Sequence, residues 1–245
     1  MSCKLYANIG VGHENDVAVL DRRIVAAAQC NADAIVLNKA TPRLAVPEEK
    51  KYVSINSKWG NLPYIEVAKK SELSKHNVAH VVELCNKIGI PIIWSVTDIE
   101  ALHFVRDIDQ VSEVKMHIDC VEPVELIRFC ADRKIYLHCS HKYMAEAKQY
   151  FSKNYYTLYY TTEQFPPEMD ELKLSTIDTI KVGTVPVAYE SREAGIFPAM
   201  AVAYKGISYI EKYLGDDDSD NPSILTPTQF YDLWNSLNIM NEANG

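Results

Sequence analysis

The residues Val182–Tyr213 hold the pattern that most restricts this chain's architecture. Thr184–Tyr189 is a short apolar, β-branched run, which reads as a strand buried on both faces. Glu190, Ser191 and Arg192 interrupt it. From Glu193 the apolar residues Ile196, Met200, Val202 and Ala203 recur at helical spacing, Gly206 supplies a stop, and Ile207–Ile210 begins another strand. Strand, polar turn, helix, glycine, strand is one βαβ unit. In parallel α/β proteins the turns that follow the strands carry the ligand, so Glu190–Arg192 and its equivalents are the place to look for function.

The same unit recurs along the chain. Strands are expected at Leu5–Ile9, Ala34–Asn38, Pro91–Ser95, Glu113–Ile118, Lys134–Cys139 and Tyr156–Tyr160, ahead of the two already named. Helices are expected at Val17–Gln29, His76–Ile88, Ile99–Val105 with Asp98 as N-cap, from about Glu122–Pro123, at Met144–Phe151 and at Pro227–Leu237. A Pro-bearing excursion, Thr41–Ser71, interrupts the series. Eight alternating units in 245 residues predict a closed (β/α)8 TIM barrel forming a single domain over 1–245. An open doubly wound sheet is the alternative; Gly10 and Gly12 follow the first strand, but the third glycine of a dinucleotide fingerprint is missing.

A net charge of −8 with no basic, aromatic-interleaved cluster argues against nucleic-acid binding. No apolar run is long enough to cross a membrane, and Leu5–Ile9 leaves no room for a signal peptide ahead of it. Six cysteines without CxxC spacing are expected to be reduced and mostly buried. Together these features predict a cytoplasmic protein whose partner is a small molecule.

Several segments, in order, resemble the barrel domain of the sialic acid synthases, which also make legionaminic and pseudaminic acids. They are Ala7–Val17, Asn31–Asn38, Trp59–Tyr64, Ile90–Asp98, Val187–Ile196, Tyr209–Tyr213 and Ile224–Phe230. The resemblance implies a barrel enzyme that condenses phosphoenolpyruvate with a 2-acetamido sugar, aided by a divalent metal. It also implies a C-terminal antifreeze-like domain, which is expected to be absent because the chain stops soon after the last barrel helix.

The departures from that pattern bear on activity. The family's first strand reads A-E-I-G-x-N-H; here Asn8 replaces the Glu, Gly12 replaces the Asn, and His13 remains. The family's second strand ends K-F-Q; here it ends Val36-Leu37-Asn38, so the barrel-facing lysine the resemblance implies at the phosphate is absent, and Lys39 is expected just past the strand. Ser95 and Asp98 match, as does Lys115, but the following Ser-Gly-Glu is Ile118-Asp119-Cys120. Tyr160 and Arg192 fall on the two metal-binding histidines. A phenol and a permanent cation cannot replace two imidazoles, so no divalent metal is expected at the family site and no cofactor is assigned.

The resemblance then leaves His13, Ser95, Asp98 and Lys115 as retained catalytic positions. Asn8, Asn38, Lys115, Tyr160 and Arg192 are candidates to bind a sugar or anion, Arg192 through its planar fork unless it stays solvated and pairs with Glu190 or Glu193. His117, Asp119 and His138, with His13 or His141 nearby, could form a replacement metal or acid–base site, or be satisfied by backbone and water. Asp216, Asp217, Asp218 and Asp220 read as a solvated loop. Among the aromatics, Trp94 is the one tryptophan expected near a ligand, and Tyr155–Tyr160 reads as a layer between barrel and helices. A working synthase, a silent sugar- or anion-binding homologue, and different chemistry on the same barrel all remain open.

Overall fold

The computed structural model describes residues 2–152, 154–181, 183–217 and 220–244. The strands are β1 (Lys4–Gly10), β2 (Ala34–Lys39), β3 (Ile92–Val96), β4 (Glu113–Met116), β5 (Tyr136–Ser140), β6 (Tyr156–Tyr160), β7 (Val187–Ser191) and β8 (Tyr209–Leu214). Each pairs in parallel with the next, and β1 pairs with β8 from Lys4↔Tyr209 to Asn8↔Tyr213, which closes the barrel. Between or after them run α1 (Val17–Gln29), α2 (Lys75–Ile88), α3 (Ile99–Arg106), α4 (Pro123–Arg133), α5 (Met144–Tyr150), α6 (Thr176–Ile180), α7 (Phe197–Ala203) and α8 (Pro227–Asn244). This is the expected (β/α)8 barrel.

Local chemistry marks the helix starts and stops. The carboxylates of Asp16 and Asp98 and the Ser74 hydroxyl accept backbone N–H groups at the starts of α1, α3 and α2, each worth about 1 kcal/mol. Gly89 ends α2 with a φ of 83°, a conformation that a Cβ would oppose. The Thr41–Ser71 excursion folds into a short helix Pro42–Ala45, a hairpin pairing Ser54–Ser57 with Gly60–Pro63, and a helix Tyr64–Ser71. Lys58 of the hairpin pairs with Glu14 at 3.1 Å, which places the excursion beside the turn after β1.

Alternation along the strands sorts side chains into two cores. Tyr6, Val36, Ile93, Tyr159, Ala188 and Tyr209 fill the barrel interior. Leu5, Leu37, Trp94, Tyr160, Tyr189 and Ile210 face the helices. Each fully buried Leu or Ile there contributes roughly 1.5–3 kcal/mol. Trp94 is therefore an outer-core residue, its indole donating to Asp109 at 3.0 Å, and not a ligand contact. All six cysteines are free, and five of them are buried.

Three of the boundaries that differ from expectation bear on the site. The strand β7 runs to Ser191, so Glu190 and Ser191 belong to the strand and α7 starts only at Phe197. The strand β8 starts at Tyr209 and carries Glu211 and Tyr213 inward. The strand β4 ends at Met116, and the chain turns through Ile118 and Asp119 rather than continuing the alternation.

Candidate functional site

A buried polar cluster occupies the barrel interior above the apolar layer, toward the C-terminal ends of the strands. Lys115 on β4 donates from Nζ to Glu190 on β7 and to Glu211 on β8, at 2.7 Å each, and lies 4.7 Å above the Tyr159 ring. The other Glu190 oxygen accepts from Arg192 Nε at 2.7 Å and from the Tyr213 hydroxyl at 3.2 Å. Asn8 on β1 donates to Glu211 at 2.6 Å. Two cations thus face two carboxylates with almost no water contact, and removing one partner of such a set costs about 3–5 kcal/mol.

The two carboxylates differ. Burial opposes ionisation of Glu190, yet Lys115 and Arg192 together hold it well below the usual carboxylate range. Glu211 lies above that range, because burial outweighs Lys115, Glu190 repels, and only Asn8 adds a further donor. Arg192 in turn is held more firmly protonated: burial opposes its charge, but Glu190 overrides it.

Facing the cluster are polar atoms without a partner among the described residues: Asn38 Oδ1, Ser95 Oγ and Glu211 Oε2; His13 Nε2, in the turn after β1, is likewise buried and unpaired. Asn38, Ser95 and Lys115 are register neighbours across β2, β3 and β4, so they form one row on the interior face. His13 accepts from Asn15 N through Nδ1 at 3.0 Å, which leaves the proton on Nε2. Burial, with Arg23 and Lys58 nearby, pulls the His13 imidazole down to about 4. Each unpaired buried group costs about 1–3 kcal/mol, a cost that a ligand rich in hydroxyls would offset.

Other expected site residues lie elsewhere. Tyr160 points away from the interior, donating to the Leu172 carbonyl at 2.9 Å and packing on His141. Arg192 is buried, not solvated: its Nε donates to Glu190 at 2.7 Å and its Nη1 to the Glu163 carbonyl at 3.4 Å. Asp98 has no free face: it accepts from Ala101 N, both donors of Thr41 and the Thr97 hydroxyl, so it caps α3 and anchors the chain after β2. Lys39 is the last residue of β2, but it faces the helices and pairs with Glu72 at 2.8 Å.

The replacement site of His117, Asp119 and His138 does not assemble. Asp119 is exposed, His117 Nδ1 accepts its backbone N–H, and His138 pairs with Glu113 at the other end of the barrel. Among the described residues no three His, Cys, Asp or Glu gather as metal ligands. Tyr160 and Arg192 do not fit the family's metal either, one turned away and the other cationic. Asp216 pairs with Arg22 and Arg23, as a surface loop would, and Asp218 lies outside the described residues.

Glu211 went unrecognised in the sequence, although the alternation Tyr209, Glu211, Tyr213 was there to place it on the inner face. A family model described as the NeuB family matches residues 23–245. The chain belongs to this family. It is 25% identical over 257 residues to N,N'-diacetyllegionaminic acid synthase of Legionella pneumophila, covering 97% of this chain and 72% of the relative. It is 23% identical over 260 residues to the N-acetylneuraminate-9-phosphate synthase of Homo sapiens, covering 99% and 71%. Among solved structures, the N-acetylneuraminic acid synthetase of Leptospira borgpetersenii, in complex with citrate, superposes on this NeuB-family barrel with a TM-score of 0.85. Identity there is 19%, over 100% of this chain and 86% of the other, so the likeness supports the fold.

Proposed function

We propose that this NeuB-family protein binds a sugar-like polyol in its barrel mouth, without metal-dependent phosphoenolpyruvate chemistry at the family's metal position. Homology with the sialic and legionaminic acid synthases supports a condensing-synthase-like function in general. The observation that carries the finer reading is Glu190, which engages Lys115 and Arg192 at once. A phosphate or carboxylate would have to compete with a carboxylate already seated on both cations. A neutral polyol needs no such exchange: Asn38, Ser95 and Glu211 present unpaired acceptors to its hydroxyls.

The roles follow from that geometry. Asn38 and Ser95 would orient hydroxyls, Glu211 would accept one and, with its raised proton affinity, hold or release a proton there. Lys115 would position both carboxylates. Condensation of phosphoenolpyruvate, or a related acid, with a sugar-like aldehyde is the second reading, because Lys115 and Arg192 converge where an anion able to displace Glu190 would meet both. Thermal-shift titration separates the two, since a ligand that binds the folded state raises the melting point. A 2-acetamido sugar should stabilise the protein and phosphoenolpyruvate should not. Tighter binding of phosphoenolpyruvate, or phosphate release from it in the presence of the sugar, would favour the second reading instead.

A further inference from the structure

At the opposite, N-terminal end of the barrel lies a cup of about 600 Å³, open to solvent and within the size range of small-molecule sites. It lies below the Lys115 layer and shares no residue with the candidate site. Its inner wall is aromatic: Tyr6 and Tyr209 stack at 4.3 Å, and His138 stands edge-on to Tyr209 at 5.2 Å and to Tyr136 at 5.5 Å. Tyr136 is already bonded to Thr157 at 2.7 Å. The hydroxyls of Tyr6 and Tyr209 make no hydrogen bond among the described residues. His138 Nε2 pairs with one oxygen of Glu113, while its Nδ1 is buried and unpaired on a side chain only 2% exposed.

Two charged side chains line this cup, Glu113 and Lys4. Glu113 lines it with its second oxygen free, and Asp33 and Glu211 are close enough to raise the Tyr6 phenol along with burial and Glu113. Among the described residues Lys4 is the one lysine or arginine on the lining. A carboxylate or phosphate ligand would meet the Glu113 carboxylate there, with Lys4 to attract it. An ammonium would meet the Glu113 oxygen and two phenolic oxygens as acceptors, with its hydrocarbon part against Tyr136 and Pro186.

We propose that this cup is a second ligand site, independent of the mouth, that takes a small ring-bearing amine in its ammonium form. Benzylamine, benzyl alcohol and benzoate are matched probes differing in charge. Titrated against the whole protein by NMR, benzylamine should bind saturably, shifting the resonances of His138 and Tyr209, and more tightly than benzyl alcohol. Benzoate should not bind. Glu113→Gln should weaken benzylamine about tenfold or more, as expected for loss of a charge-assisted contact. Tyr209→Phe, which removes only a hydroxyl and guards against a misfolded Glu113→Gln, should weaken it less. Ser95→Ala, in the mouth, should leave it unchanged. Absence of saturable benzylamine binding would overturn the proposal, as would equal or tighter binding of benzoate, or full affinity in both Glu113→Gln and Tyr209→Phe.

Discussion

Lys115 and Glu190 meet at 2.7 Å in the barrel interior, and the same carboxylate holds Arg192 through its other oxygen. Glu190 is therefore the pin of the mouth. Glu190→Gln keeps the volume but leaves Arg192 without a carboxylate and Lys115 with only Glu211. It should lower stability by about 3–5 kcal/mol in urea unfolding. The same variant should gain affinity for sulfate, seen as a larger rise in melting point than in the parent. A second substitution, Lys115→Ala, should remove that gain; sulfate affinity that survives it would show that Lys115 is not the anion-binding group.

Stability should fall on mild acidification. The imidazoles of His13 and His117 are pulled down to about 4, in each case chiefly by burial. Between about 4 and the unfolded value near 6.5 the unfolded chain binds more protons, so stability rises with pH across that window and is lost as pH drops through it. For His13 alone the loss is on the order of 3 kcal/mol. Urea midpoints at pH 7 and pH 5 measure it, and His13→Asn should shrink the difference. Equal midpoints would mean that both imidazoles stay accessible to protons in the folded state.

Glu190 and Glu211 should act in opposite directions at lower pH. The depressed Glu190 stabilises the fold above the unfolded carboxylate value of about 4.3, and that contribution disappears only in strong acid. Glu211, raised, makes the protein less stable as pH climbs from about 4.3 through its folded value. Glu211→Gln should therefore flatten the slope above the carboxylate range. Following the two carboxyl resonances by NMR would test the assignment, and the idea fails if Glu211 titrates first.

Manganese should not be held between Tyr160 and Arg192. The Tyr160 hydroxyl is committed to Leu172, and a guanidinium near 4 Å repels each unit of cationic charge by ~4 kcal/mol at an effective dielectric of ~20. Equilibrium dialysis followed by elemental analysis should find no stoichiometric manganese there, with or without Arg192→Ala. Metal-dependent phosphate release from phosphoenolpyruvate that vanishes in Arg192→Ala would contradict this.

Asp98 should prove to be a structural residue. Asp98→Ala removes a helix cap and the tether of Thr41, costing about 1–2 kcal/mol or somewhat more, while Asp98→Asn keeps part of both. Ligand affinity at the mouth should be the same in either variant once folded. A selective loss of affinity in Asp98→Asn, at unchanged stability, would put Asp98 back in the site.

The barrel was legible because each unit repeats a buried β-branched run, a polar turn and a helical stripe, signals that survive even poor boundaries. Side-chain direction was harder. Tyr160 and Tyr159 are adjacent, and one residue of strand phase decides which of them enters the barrel. The match to the family's lysine set Lys115 inward, and extending that face by alternation fails at Asp119 because β4 ends at Met116. The pairing of Glu190 with Arg192 is among the local alternatives the sequence offers, but its pairing with Lys115 is not readable there. It depends on β4 and β7 facing one another across the barrel, a distance relation that no local pattern encodes.

The pairing of β1 with β8 has a consequence for how the protein is made. The barrel's first strand cannot complete its ladder until its eighth has been synthesised, so the backbone groups on that edge wait on all the strands between them. Until then the growing chain carries an unpaired edge at each end of its sheet, the form most open to mispairing with a neighbour.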